Sequence, residues 1–520
     1  MLDRPELVFG LIGAVGTDLK NVGKLLREQL RSAGYDPFPI RLSDLLLECH
    51  RYAHLKNLNG GPEDERIDQL MDAGDDFRRQ AGRGDALSLL GISKIRSARR
   101  AHEIGPVKTR AYILHSLKHP DEVDTLRHVY GQAFFAVSAY SPRQDRLQSL
   151  SLRIAKSRSE YDAHKFEKEA NALIEKDEYE FHDDLGQNVR ETFPLGDIFF
   201  DTRAEARIES QVQRFIDLLF GHPFITPTID EYGLFHANAA AVRSADLSRQ
   251  VGAVILAKDG SIVSTGCNDV PKAGGGQVWE RLDADGDLDH RDFRIGYDST
   301  YRIKSSLLNE VFDKLQENGW LSAEKSQCSP AKLTEEALYD PDNPILKGAR
   351  VSSIIEFGRI VHAEMSAITD AARLGRTVNG ATLFCTTFPC HMCARHIIAS
   401  GIDRVVYIEP YPKSMALDLY KNMIFSDGSL PSGKIGVRFE PFVGLSPHRY
   451  MHFFGMRKRK DGRGLTVEWK DSDRSPRVRE SPSTRDLEAA HINYLYENRI
   501  KLGLVDATEA EKEGATNVQS

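Results

Sequence analysis

Through the first 220 residues, short continuous apolar runs alternate with longer stretches of helical periodicity. Leu7–Ile12 is apolar throughout, as a strand buried on both faces would be. Gly13, Gly16, Thr17 and Asp18 follow as a turn. Residues 22–32 then carry apolar positions at Val22, Leu25, Leu26 and Leu30, a helical spacing, with Gly34 as the stop. Residues 38–44 predict a second strand running into a helix started by Asp44. Residues 111–114 predict a third strand, with a helix after Pro120. Residues 134–138 predict a fourth, followed by Arg143, Arg146 and Arg153. Strands alternating with helices mean an α/β fold with a doubly wound parallel sheet.

The pattern changes after residue 225. Residues 232–245 read as a helix. Residues 251–256 and 261–264 are apolar runs around Lys258-Asp259-Gly260, and Asp-Gly between two such runs is a strong hairpin signal. A polar segment follows over residues 274–342. Its acidic run from Asp283 to Asp289 has glycine at the fourth position, where a calcium loop needs it at the sixth, so it reads as a surface loop. Residues 356–374 predict a helix with His362 near its start, and 381–385 a strand. Pro389 opens a helix that reaches Ser400 and stops at Gly401, and 404–408 form a further strand. The expected domains are 1–220, 225–470, and a charged extension 471–520 with a helix near 485–500 and a polar end from Ala507.

Composition narrows the class. A chain of 520 residues exceeds one ordinary core. A net charge of −7 and a pI near 6.2 weigh against a surface built to coat nucleic acid. No apolar run approaches the ~20 residues of a membrane span. Residues 7–15 follow Asp3 and Glu6 without a small-residue cleavage site, so they read as a strand and not a signal peptide. Six cysteines with a single close pair suit a metal site in a reducing cytosol, and a cytoplasmic location is expected.

The chemistry concentrates in His362-Ala363-Glu364 and Pro389-Cys390-His391-Met392-Cys393. His-x-Glu with Pro-Cys-x-x-Cys is the signature of zinc-dependent nucleobase deaminases. His362, Cys390 and Cys393 make three zinc ligands and leave a fourth position for water, as a catalytic site requires. Glu364 is the non-ligand carboxylate that moves protons. Cys385 or His391 as a fourth, structural ligand is the alternative. In the first domain, Gly10 at the end of the strand run and Gly13, Gly16, Thr17 and Asp18 in the turn before the helix are candidate nucleotide-binding residues, since such a turn can hold phosphate on backbone N–H groups. The turn departs from a P-loop: Gly10 and Gly16 stand one residue too far apart and no lysine precedes Thr17. The basic run Arg96, Arg99, Arg100, Lys108 and Arg110 reads first as a solvated helix face, with phosphate or RNA contact as the sharper reading.

Ser248-Arg249-Gln250-Val251-Gly252-Ala253-Val254-Ile255, Gly266-Cys267-Asn268 and the two zinc motifs together resemble the cytidine and deoxycytidylate deaminase family over roughly residues 230–445. The resemblance implies an α/β/α deaminase domain, sugar contact by Asn268 and a ligand role for Arg249. A P-loop kinase-like half ahead of such a domain, with Ile408-Glu409-Pro410-Tyr411-Pro412-Lys413-Ser414 and Pro441-Phe442-Val443-Gly444, resembles the bacterial anti-phage dCTP deaminases. That resemblance implies a free deoxycytidine nucleotide as substrate, dCTP and also dCMP. It further implies a homo-oligomer and inhibition by a small RNA, and Lys413 stands beside it as a candidate phosphate contact. Two other readings stand beside it: a deaminase of single-stranded nucleic acid, and a nucleotide sensor with a structural zinc.

Overall fold

The apolar run Leu7–Ile12 is buried along its whole length and forms β1, the middle of a parallel sheet. The computed structural model describes residues 4–58, 60–100, 109–178, 184–280, 289–340, 344–346, 349, 351, 354, 356–409, 414–426, 433–455, 459–469, 475–478 and 483–506. They fall into two units, one built mainly from Met1–Glu231 and Pro441–Ser520, the other from Tyr232–Ile408 and Pro412–Glu440.

In the first unit β1 lies between β3 (Arg110–Leu117) and β4 (Phe134–Tyr140), with β2 (Asp36–Arg41) beyond β3 and β5 (Ile198–Asp201) beyond β4, all parallel. Alternation along the strands sends side chains to both faces. Phe9, Leu11, Ile113, Phe135 and Phe200 share a core with α1 (Leu19–Ser32) and the helix Glu205–Leu219. Leu114 points to the opposite face, against Gly91 of the helix Ala86–Arg100. Three expectations change. The fifth strand was not anticipated. The helix after β2 starts at Leu42 with Arg41 at its cap, so Asp44 lies in its first turn and does not cap it. The basic run is not a solvated face throughout: Arg99 forks onto Glu6 and Glu488, and Arg110 is buried near Asp36. Lys108 lies outside the described residues.

The expected boundary at residue 470 also moves. From residue 441 the chain belongs to the first unit, where Gly444–Leu445 adds an antiparallel edge to β5 and the helix Thr484–Glu497 brings Glu488 to Arg99. The fixing point is Asp197, fully buried before β5. Its carboxylate accepts from Ala136 N–H at 2.7 Å, from Arg449 Nε at 3.0 Å, and from Arg127, and stands 2.5 Å from His448 Nε2.

The second unit begins at Tyr232, within α3 (Ile229–Ala241), a helix expected over residues 232–245. Its sheet runs β10 (Ile424–Phe425), β11 (Val437–Pro441), β9 (Arg404–Tyr407), β8 (Thr382–Cys385), β6 (Gly252–Leu256) and β7 (Ile262–Cys267). The β6–β7 hairpin is antiparallel around Asp259-Gly260, and β8 and β9 are parallel. Two glycines set the packing. A side chain at Gly252 would collide with the backbone of α3 at Ala237 and Ala241. One at Gly266 would collide with Ala363 and Ala367 of α5 (Ala363–Arg373). Between β7 and α5 an insert leaves and returns through one antiparallel bridge, Asp269 to Val361. It contains α4 (Ser299–Glu317) and the helix Pro330–Tyr339. Among the described residues no helix is long and apolar enough to cross a membrane.

Burial pushes the Asp197 carboxyl up, but the His448 hydrogen bond and the Arg449 and Arg127 charges outweigh it and hold the group well below the usual carboxylate range. A depressed carboxylate contributes stability that is complete above its unfolded pKa of about 3.9 and is lost as the pH falls toward the folded value. Asp197→Asn is therefore expected to lower stability by about 2 kcal/mol at pH 7, because the partly buried Arg449 and Arg127 lose charge-assisted hydrogen bonds to the buried carboxylate. In urea titrations the deficit should shrink below pH ~4. A deficit independent of pH would contradict the assignment.

Candidate active site

The site gathers where the starts of two helices meet. α5 begins at Ala363, not near 356 as the sequence suggested, because Val361 is committed to the bridge with Asp269 and His362 serves as the extended N-cap. α6 (His391–Ala399) has Cys390 as its N-cap, with Pro389 just outside the helix. The Cys390 sulfur accepts from Cys393 N–H. Thiolate character is favoured at such a helix start.

His362, Cys390 and Cys393 place their ligand atoms within 4.8 Å of one another. His362 Nδ1 stands 3.3 Å from each sulfur. A tetrahedral zinc with Zn–S near 2.3 Å and Zn–N near 2.0 Å keeps N and S about 3.5 Å apart, so the set fits zinc. Cys393 hydrogen-bonds Cys390 and, with His362, draws its pKa down to about 4 against the effect of burial, while Cys393 is pushed up. The hydrogen bond to Cys390 raises His362 in turn. Cys385 is fully buried in β8 and His391 Nε2 pairs with Glu356 at 3.1 Å. Neither joins the set.

Glu364 is 3% exposed, in the first turn of α5. Burial pushes its carboxyl up and the Cys390 charge adds to that shift. A carboxyl poised this way both accepts and returns a proton. Glu364, His362 and Cys390 line a cleft of about 380 Å³ that also touches Asp246, Ser248, Arg249, Val251, Asn268, Thr387 and Phe388.

The remaining expected residues separate. Asn268 lines the cleft, but its amide also braces the loop before β6: Oδ1 accepts from Val251 N–H at 2.7 Å and Nδ2 donates to Arg249 O at 2.8 Å. Arg249 lines the cleft and is exposed. Lys413 lies outside the described residues. Gly10 lies inside β1, as its place in the apolar run implied, and a side chain there would collide with Leu117 and Phe134. Gly16 has φ +89°, and Asp18 caps α1 through Asn21 N–H. The Val15 N–H in that turn already donates to the Asp177 carboxylate of α2 (Glu167–Glu178) at 2.5 Å. Lys118 bridges Asp177 at 2.6 Å and Gly13 O at 2.9 Å. A phosphate seated at Val15 N–H would have to displace an internal carboxylate.

The sequence reading missed the insert's share of the cleft. Asp292, Asp298, Thr300 and Lys304 line it, together with Ile354, Gly358 and Ile360. Thr300 and Lys304 stand four apart on α4 and share a helix face, the one signal that was available in advance.

Three convergent soft ligands and one buried non-ligand carboxylate are the donor set of a catalytic zinc site. Comparison with known proteins agrees. The profile of the cytidine and deoxycytidylate deaminase zinc-binding region matches residues 227–409. The deoxycytidylate deaminase of Enterobacteria phage T2 is 32% identical over 169 residues, covering 32% of this chain and 72% of that relative. The chain therefore belongs to the cytidine and deoxycytidylate deaminase family. The deoxycytidylate deaminase of Enterobacteria phage T4 is 48% identical over 54 residues, which span 10% of this chain and 28% of that relative. The apo dCMP deaminase of cyanophage S-TIM5 is 17% identical, with 42% of this chain and all of that chain covered and a TM-score of 0.22.

Zinc analysis by plasma emission on purified protein is expected to find one ion per chain. His362→Ala or Cys393→Ala should each lose most of it, while Cys385→Ser and His391→Ala keep it. Zinc retained in the first pair would refute the ligand set.

Proposed function

We propose that this protein hydrolyses the exocyclic amine from the cytosine of a free deoxycytidine nucleotide, with dCTP as the favoured substrate and dCMP also accepted. The observation that carries the reading is Glu364, buried beside the His362–Cys390–Cys393 set and open to the same cleft. Zinc held by those ligands supplies an ionised water near neutral pH. Glu364 takes a proton from the attacking water and delivers it to the ring nitrogen; it then takes the second proton from the same oxygen, as the carbonyl forms and the C–N bond breaks, and passes it to the departing amine. Water and cytosine thus become uracil and ammonia. Phe388 and Val251 line the cleft with apolar surface, which limits bulk water around the carboxyl and keeps its proton transfers directed. The net charge of −7 supports a free nucleotide over a nucleic-acid strand. The finer choice of dCTP, whose removal would starve phage replication, rests on the resemblance of the motifs around residues 408–414 and 441–444 to the bacterial anti-phage dCTP deaminases.

Incubation with deoxycytidine, dCMP, dCTP, CTP and cytosine-containing single-stranded DNA, followed by chromatography, should give uracil products from the free deoxynucleotides. Glu364→Gln should keep its zinc and lose about 10²–10⁴-fold in kcat. Full activity in that variant would overturn the proton-transfer role, and product from DNA alone would overturn the substrate.

A further inference from the structure

The insert between β7 and α5 carries no part of the zinc signature, yet it forms one side of the cleft that holds Glu364. We propose that α4 of this insert supplies a subsite for the 5′-phosphate nearest the sugar, with Lys304 as its main cation and Thr300 beside it. The proposal rests on the deoxynucleotide reading above and deepens it.

Four observations support the subsite. First, Lys304 and Thr300 line the same cleft as His362, Cys390 and Glu364, so a molecule whose base sits at Glu364 shares its cavity with them. A volume of about 380 Å³ lies within the ~300–1,000 Å³ usual for small-molecule sites. Second, residues 300 and 304 are one helical turn apart, so a hydroxyl and an ammonium reach the cleft from one helix face. Third, Lys304 is half-buried while Arg249, the cleft's other cation, is exposed. A partly desolvated ammonium binds an anion more strongly than a solvated one does.

Fourth, the cleft's carboxylates other than Glu364 are tied to its wall. Asp292 accepts from Arg359 at 2.9 Å and from the Ser299 hydroxyl at 2.9 Å. Asp298 caps α4 through Thr300 N–H at 2.7 Å. Asp246 accepts from Ser248 N–H at 2.7 Å. These bonds fix the start of α4 and the loop before β6, and with them the positions of Lys304 and Arg249. The insert as a whole is anchored by the Asp269–Val361 bridge, one residue from Asn268 at one end and one from His362 at the other. The proposed phosphate side and the zinc side of the cleft therefore hang from the same two backbone positions.

The test is binding without turnover. In full-length, zinc-loaded Glu364→Gln protein, titration calorimetry is expected to show dCMP binding at least tenfold more tightly than deoxycytidine. Adding Lys304→Ala should weaken dCMP about tenfold and leave deoxycytidine unchanged, and Lys304→Arg should restore most of the difference. In otherwise wild-type protein, Lys304→Ala should raise KM for dCMP with kcat preserved, the signature of a lost ground-state contact. Equal weakening of both ligands, no weakening of either, or no dCMP binding to the parent protein would overturn the subsite. Failure of the deaminase reading is seen separately, as absence of uracil from wild-type protein.

Discussion

The backbone of β7 lies against the first turns of α5, and only a residue without a side chain at 266 permits that approach. Everything at the site follows from this contact. Ser264 Oγ donates to Ala367 O at 2.7 Å one pleat away, so the helix is pinned to the strand over two turns. Its start is then fixed by the Asp269–Val361 bridge, which ends the strand-like stretch just before His362. With α5 in place, His362 meets two sulfurs from the start of α6, and Glu364 is carried to the edge of the cleft, where burial shapes its acidity.

What could be read in advance had its cause close by in the sequence. The clustering of His362, Cys390 and Cys393 with Glu364 beside them was legible because two-residue and three-residue spacings on helix starts already fix much of their geometry. The β6–β7 hairpin was legible from Asp259-Gly260. The early start assigned to α5 failed because the partner that holds Val361 extended, Asp269, lies beyond the whole insert. Helices α4 and Pro330–Tyr339 were not seen because few of their residues are buried, Leu308, Leu333 and Ala337 among them, so their apolar period is faint. The fifth strand of the first unit has four residues, too short a run to stand out.

Long-range partners explain the other differences. Arg99 belongs to a run that local pattern would leave in solvent, but Glu6 and Glu488 come to it from 93 and 389 residues away. The glycine turn after β1 has the local form of a phosphate cradle. Asp177, 162 residues distant, gives it a carboxylate of its own. In both places the sequence supplied the charge or the donor, and the fold supplied the counterpart.

The way the chain re-enters its first unit sets an order of events during synthesis. Five parallel strands are complete once residue 201 has emerged, yet the outer edge of β5 stays without its neighbour until Gly444–Leu445 is made. Until then Asp197 lacks His448 and Arg449, and an unpaired strand edge stands open to other nascent chains. The ribosome must translate the entire zinc-binding unit during that interval. The deaminase domain therefore has time to fold before the unit that brackets it can close, and truncation within it would leave the first unit's sheet with an unpaired edge.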